Sequence, residues 1–236
     1  MSLLGKAFIV TGGASGIGKS TVRKLLELSV SVHVLDISSK IPTHNDLAGQ
    51  QQSYPKVKIS LRKDIKAVFD QIATQKNIRL AGLVHCAAIL RPTKISEAGD
   101  EHLRQPWDVN IVGTWNVNTE FHQLVNIVNV GSMASVRGIP GLAGYVASKH
   151  AVLGLTRSFA QSWGPDGLRV NCVAPGAVNT PMIQGTMDDA PVAAAYKGAL
   201  KSIVEPEEVT EAIMFLLGES SSAITGQVVE VNGGWP

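Results

Sequence analysis

Tyr145 and Lys149 lie four residues apart in a stretch whose apolar spacing predicts a helix. That separation is about one helical turn, so the phenol and the amine share a face. An unperturbed tyrosine titrates at about 10. A neighbouring ammonium favours the phenolate, which brings the phenol toward a range useful for proton transfer. The same ammonium has the reach to hydrogen-bond a sugar hydroxyl. Ser132 precedes them at the predicted end of a strand. Its hydroxyl suits holding the oxygen of a carbonyl or alcohol while steadying the phenol. Asn110 sits inside another predicted helix, where asparagine is a poor former. Its side chain is therefore expected to be free to order a water that relays protons to Lys149. A Tyr-x-x-x-Lys pair alone is common on helix surfaces, and its weight comes from what accompanies it.

A glycine-rich turn accompanies it. Thr11-Gly12-Gly13-Ala14-Ser15-Gly16-Ile17-Gly18 joins a predicted first strand to a predicted helix. Glycines permit a tight turn and close approach of the backbone to a pyrophosphate. The helix N-terminus adds unpaired amides and the positive end of a dipole. The spacing is Gly-x-x-x-Gly-x-Gly, not the Gly-x-Gly-x-x-Gly of many dinucleotide sites. Asp36 closes the predicted second strand. A carboxylate there accepts hydrogen bonds from both hydroxyls of an adenine ribose and repels a 2′-phosphate. No Arg or Lys follows in Ile37-Ser38-Ser39, and Ser15 occupies the turn where a basic residue would grip that phosphate. NAD is expected over NADP.

The elements that must position these groups alternate along the chain. Strands are predicted at Lys6–Val10, Val30–Leu35, Val57–Leu61, Leu80–Ala87, Asn126–Val130, Leu168–Val173 and Val228–Val231. Helices are predicted at Ile17–Leu28, Lys66–Ala73, Trp107–Gln123, Ala143–Trp163 and Pro206–Leu217. Gly164-Pro165 stops the fourth helix, and Pro206 opens the fifth with Glu207 and Glu208 near its positive end. Such alternation implies an α/β fold: one Rossmann-type domain over residues 1–236, with a doubly wound parallel sheet of about seven strands and helices on both faces. Two connections look cramped, Asp64-Ile65 after the third strand and Leu124-Val125 before the fifth. Residues 177–204, rich in Ala, Met, Val and Ile, are expected to form a substrate loop, with Met182, Ile183 and Met187 in a lid over an apolar pocket.

Hydrophobic residues at 44% and charged residues at 17% supply a sizeable core and argue against disorder. A net charge of +2 without a Lys/Arg cluster argues against a nucleic-acid partner. No apolar run approaches the roughly 18 residues of a membrane span, and no signal-cleavage pattern opens the sequence. A cytoplasmic protein with no membrane partner is expected. Cys86 and Cys172 sit in apolar runs and are expected to be buried reduced thiols. The 6 histidines lack metal-ligand spacing, so no metal site is expected. Arg91 and Arg137 are expected to be solvated loop charges near the pocket rim.

Taken in order and spacing, Thr11-Gly12-Gly13-x-x-Gly16-x-Gly18, Asp64, Cys86-Ala87-Ala88, Asn110, Ser132, Tyr145-x-x-x-Lys149, Pro175-Gly176 and Val231-Asn232-Gly233-Gly234 resemble the short-chain dehydrogenase/reductase family over nearly the whole chain. The resemblance implies that Ser132, Tyr145 and Lys149 form a catalytic triad, with Asn110 as a fourth member. It implies that Gly12, Ser15, Gly16, Ile17 and Gly18 hold the pyrophosphate end and that Asp64 and Ile65 bracket the adenine. Pro175, Gly176, Val178 and Thr180 would meet the nicotinamide end. It further implies a homotetramer, or a dimer, built partly through the two long helices. One departure stands out: the family's Asn-Ala-Gly reads Cys86-Ala87-Ala88, which loses the Asn and adds a methyl near the cofactor ribose. Gly131, where a serine is common, is expected to be neutral. The implied activity is hydride transfer between NAD and a secondary alcohol or ketone. The alternatives are non-redox chemistry on the same fold (dehydration, epimerisation or cyclisation) and a non-catalytic dinucleotide-binding protein.

Overall fold

The computed structural model describes residues 6–75, 79–93, 95–96, 99–122, 126–184 and 198–235. The chain opens with β1 (Ala7–Thr11) and α1 (Gly16–Glu27), then β2 (Ser31–Leu35), β3 (Gln51–Tyr54), α2 (Arg62–Ala73) and β4 (Leu80–His85). A broken helix follows: α3 (Asp100–Pro106), a π-helical turn (Trp107–Val112) and α4 (Gly113–Glu120). After β5 (Asn126–Val130) come α5 (Ala143–Trp163) and β6 (Arg169–Pro175). The short elements β7 (Ala177–Val178), α6 (Pro181–Gln184) and β8 (Ile203–Val204) precede α7 (Pro206–Leu217) and β9 (Val228–Val231).

Seven strands form one parallel sheet in the order β3-β2-β1-β4-β5-β6-β9. Alternate residues of a strand face opposite sides. Val10, Val34, Val84 and Val128 accordingly pack against Val22 and Leu25 of α1 and Val209 and Ile213 of α7. Ile9, Leu83, Ile127 and Val170 pack the other way, against Ile65 and Val68 of α2, Val117 of α4 and Phe159 of α5. The chain runs from β1 out to β3, returns to β4 beside β1, and then proceeds in the opposite direction. The crevice beyond the carboxyl ends of β1 and β4 is therefore the switch point where open α/β sheets bind ligands.

The predicted fold class is the observed one, and α5, α7, β5 and β9 keep their predicted limits. The third strand does not. It is Gln51–Tyr54, while Val57–Leu61 is an irregular segment beyond it. The chain leaves the sheet after Tyr54 through Lys56, which takes a left-handed φ of 61°. Val57 and Ile59 still bury their side chains, and that alternation imitates a strand. The cramped Asp64-Ile65 connection disappears with it, because Pro55 to Leu61 spans the gap before α2. Residues 123–125, with the other cramped connection, lie outside the described residues.

The predicted helix from Trp107 starts earlier, at Asp100, and is interrupted. Pro106 lacks an N–H and cannot close a regular turn, and a π-helical turn follows it directly. Asn110 sits in that turn.

Candidate active site

The second turn of α5 starts where a phenol, an amine and a hydroxyl come together. Ser132, Tyr145 and Lys149 line one cavity at the carboxyl end of β5. Tyr145 is 5% exposed and Lys149 3% exposed. The Lys149 Nζ lies 5.7 Å from the centre of the Tyr145 ring and donates to the Val130 carbonyl at 2.9 Å. Burial pulls the Lys149 amine down to about 8. Ser132 caps a short 3-10 turn, its Oγ accepting from the Ala134 amide at 3.1 Å. That bond fixes the rotamer and leaves the hydroxyl proton able to point into the cavity.

A second cavity is the groove over the glycine-rich turn, lined by Gly12, Ser15, Gly16, Gly18, Asp36 and Ala87 among others. The two cavities share Ile17, Cys86, Ala88, Thr180 and Met182 and so meet end to end. Pro175, Gly176 and Val178 line the catalytic end. Gly12 has a φ of 71°, and a Cβ there would lie 2.8 Å from the Ala87 amide nitrogen, so this contact admits no side chain. The N-terminus of α1 has no side-chain cap at Ser15 and no acidic residue in its first turn. No side chain of that turn offsets the helix dipole, as suits a bound phosphate. Asp36 is held in place: one carboxylate oxygen accepts from the Ala14 amide at 2.9 Å, the other from Ser38 at 2.8 Å. A dinucleotide fits this donor and acceptor set from the helix N-terminus to the carboxylate.

Two predicted adenine contacts are displaced. Ile65 is fully buried in the core beneath α2, and Asp64 accepts from the Lys58 amide at 3.0 Å. Val57, Lys58, Ile59 and Ser60 line the groove in their place. The expectation came from the family resemblance; the buried pair Val57 and Ile59 was the available signal for the segment that lines the groove instead.

Asn110 also differs from expectation. It is 1% exposed, and its side chain is committed: the carboxamide exchanges two 2.9 Å bonds with the backbone of Ile89 and donates to Ser148 Oγ at 2.9 Å. Ser148 in turn donates to the Tyr145 carbonyl at 2.7 Å. Asn110 therefore ties the chain after β4 to the helix bearing Tyr145, and its side chain is not free to hold a relay water.

Cys86 lies past the end of β4, half-buried, and lines both cavities; Cys172 is buried, and both are free thiols. Burial pushes Cys86 up to about 12 and Cys172 up to about 11, so neither is a nucleophile at neutral pH. Gly131 is not a neutral replacement, since a Cβ there would lie 2.6 Å from Cys172 Sγ. Arg137 is a partly exposed loop charge that also pairs with Glu230 at 3.3 Å, its guanidinium 5.9 Å from the Trp235 ring centre. Arg91 is exposed. Met182 and Ile183 line the cavity, whereas Met187 lies outside the described residues. Among the described residues no group of three or more His, Cys, Asp or Glu side chains is placed to hold a metal, and no helix is long and apolar enough to cross a membrane.

Residues 12–236 match a family model described as enoyl-(acyl carrier protein) reductase. The chain is 36% identical over 246 residues to a 2,5-dichloro-2,5-cyclohexadiene-1,4-diol dehydrogenase of Sphingobium indicum, covering 99% of this chain and 98% of that one. It is 34% identical over 245 residues to a 3-oxoacyl-[acyl-carrier-protein] reductase of Thermotoga maritima, covering 99% of each. Its structure superposes on that of a short chain dehydrogenase from Mycobacterium paratuberculosis bound to NAD with a TM-score of 0.86, at 25% identity, covering 99% and 98% of the two chains.

Proposed function

The chain belongs to the short-chain dehydrogenase/reductase family, and from that membership we propose that it interconverts a secondary alcohol and a ketone with NAD as its preferred cofactor. The observation that carries the proposal is the convergence of Tyr145, Ser132 and Lys149 on one cavity that opens into the glycine-rich groove. When bound, the nicotinamide supplies a hydride acceptor for oxidation or a donor for reduction. The protein does the rest. Ser132 orients the substrate oxygen. Tyr145 takes the alcohol proton in one direction and returns it in the other. The Lys149 ammonium, charged below about pH 8, stabilises the phenolate and has further donors for a ribose hydroxyl. Asn110 keeps α5 in register with the groove wall.

The cavity favours an uncharged, apolar substrate. Leu90, Val178, Met182 and Ile183 line it, and among the described residues Lys149 is its only charged lining residue. A hydrophobic ring compound or a medium-length ketone suits such a wall. The diol named for the Sphingobium relative is a substrate of this kind.

Asp36 supports NAD over NADP. Its carboxylate, pinned by two amides, has no room to swing away from a 2′-phosphate. Fluorescence titration of the two reduced cofactors is expected to show NADH binding at least about tenfold tighter, the equivalent of one repelled charge-assisted contact. Equal or tighter NADPH binding overturns the preference. Following nicotinamide absorbance across a panel of alcohols and ketones tests the reaction itself, and a non-redox product from any of them would favour another chemistry.

The outer side of the broken helix supports self-association. Leu103, Trp107 and Trp115 are 45%, 53% and 48% exposed, three large apolar side chains on one broken helix that a solvated surface disfavours. A homotetramer or dimer covering this face is expected in sedimentation velocity, and Trp115→Glu is expected to shift it toward monomer. A monomeric parent protein refutes the assembly.

A further inference from the structure

His85 ends β4 directly opposite Thr11, the last residue of β1. Both are buried, at 3% and 0% exposure. Thr11 Oγ1 lies 2.8 Å from His85 Nδ1, and the Ala87 amide donates to the same Oγ1 at 3.3 Å. An amide N–H only donates, so the hydroxyl accepts there and its own proton is available to Nδ1. With that proton given to Nδ1, a neutral imidazole carries its single proton on Nε2. That Nε2 is buried and has no hydrogen-bond partner among the described residues. Burial, with the Lys149 charge adding, holds the ring at about 3, so it stays neutral and keeps one acceptor nitrogen.

An orphaned buried donor is costly, and a leucine or phenylalanine would fill this place without one. What the ring offers in return is the acceptor at Nδ1. Its importance follows from the neighbours. Thr11 precedes Gly12, whose α-carbon is packed so closely that an added Cβ would sit 2.8 Å from Ala87 N. The Thr11 carbonyl also accepts from the Cys86 amide at 3.2 Å. His85, Thr11 and Ala87 thus join the turn at one side of the groove to Cys86, Ala87 and Ala88 at the other.

We propose that His85 is a positioning residue for the cofactor: by accepting the Thr11 hydroxyl it fixes the distance between the glycine-rich turn and the Cys86–Ala88 wall, and so the width of the dinucleotide groove. The inference rests on the dinucleotide reading above and goes beyond it to a residue that lines neither cavity.

A double-mutant cycle tests it, read as NADH affinity by fluorescence and as KM for NAD against kcat. Thr11→Val and His85→Leu each remove one partner, and each is expected to weaken NADH binding by roughly 5- to 30-fold. Together they are expected to weaken it no more than the worse single change, because both break the same link. KM should rise far more than kcat falls. His85→Asn, whose carbonyl oxygen can accept from Thr11, should recover most of the affinity lost with leucine. His85→Phe, closer in shape to imidazole, replaces leucine in the cycle if that variant does not fold. Losses that multiply, parental affinity in His85→Leu, or no recovery with asparagine each overturn the role. A parent protein that binds no NADH refutes the dinucleotide reading itself, whereas parental binding with multiplying losses refutes only the part played by His85.

Discussion

Replacing Tyr145 by phenylalanine is expected to lower kcat by roughly a hundred- to ten-thousand-fold, the usual worth of a positioned acid–base group. NADH affinity is expected to stay within a few-fold of the parent. The separation of the two effects follows from packing. The Tyr145 ring belongs to a small apolar cluster with Ala134, Ile139, Leu142 and Ile183, and phenylalanine fills the same space. Only the hydroxyl is lost, and the groove residues Gly12, Asp36 and Ala87 are untouched. Ser132 and Lys149 remain, but a serine hydroxyl is far too weak an acid to carry the proton, and one Lys149 donor is already committed to the Val130 carbonyl. Steady-state turnover beside a fluorescence titration reads both quantities. Undiminished turnover in Tyr145→Phe rules out the phenol as the proton carrier.

The proposed catalytic pair was legible because helix periodicity alone puts residues four apart on one face, and α5 runs unbroken from Ala143 to Trp163. Gly164-Pro165 marked its end, as Pro206 marked the start of α7. The glycine-rich turn was legible for a similar local reason: Gly12 answers to one close contact. What escaped depends on contacts distant in sequence. β3 is an edge strand of polar residues, Gln51-Gln52-Ser53, so its pattern carries no strand signal, and the buried Val57 and Ile59 nearby carry a false one. The adenine contacts that the resemblance placed at Asp64 and Ile65 fall instead on the irregular segment after that strand, where Val57, Lys58, Ile59 and Ser60 line the groove. The π-helical turn around Asn110 was likewise hidden. Pro106 was visible, but the bonds that commit the Asn110 side chain come from Ile89 and Ser148, far away in the sequence. His85 was legible only as a histidine; its role needs the β1–β4 register.

Lys149→Met is expected to produce a more stable and far less active protein. Burial brings the amine from 10.5 down to about 8, so keeping it charged at neutral pH costs the folded state about 3 kcal/mol. Methionine fills a comparable volume without a charge. It leaves the Val130 carbonyl without its 2.9 Å donor, which returns roughly 1 kcal/mol of that gain. A net stabilisation of about 2 kcal/mol at pH 7 is expected in urea unfolding. The pH dependence separates this from generic repacking. The folded-state pKa lies below the unfolded one, so between about 8 and 10.5 the unfolded chain binds more protons, and the parent protein gains stability as pH rises through that window. The variant should lack that rise, and the two curves should cross near its upper end, where the charge penalty is gone and only the lost Val130 bond remains. Turnover should fall by roughly a hundred- to a thousand-fold, as when one charge-stabilising donor is removed from an active site. A variant that is less stable at pH 7, or a parent curve that is flat between 8 and 10.5, would show that the amine is not held against its own solvation. The stability gain and the activity loss share one cause. The charge that steadies a phenolate in a dry cavity is the charge the fold would be more stable without, and burial that strengthens the first effect deepens the second.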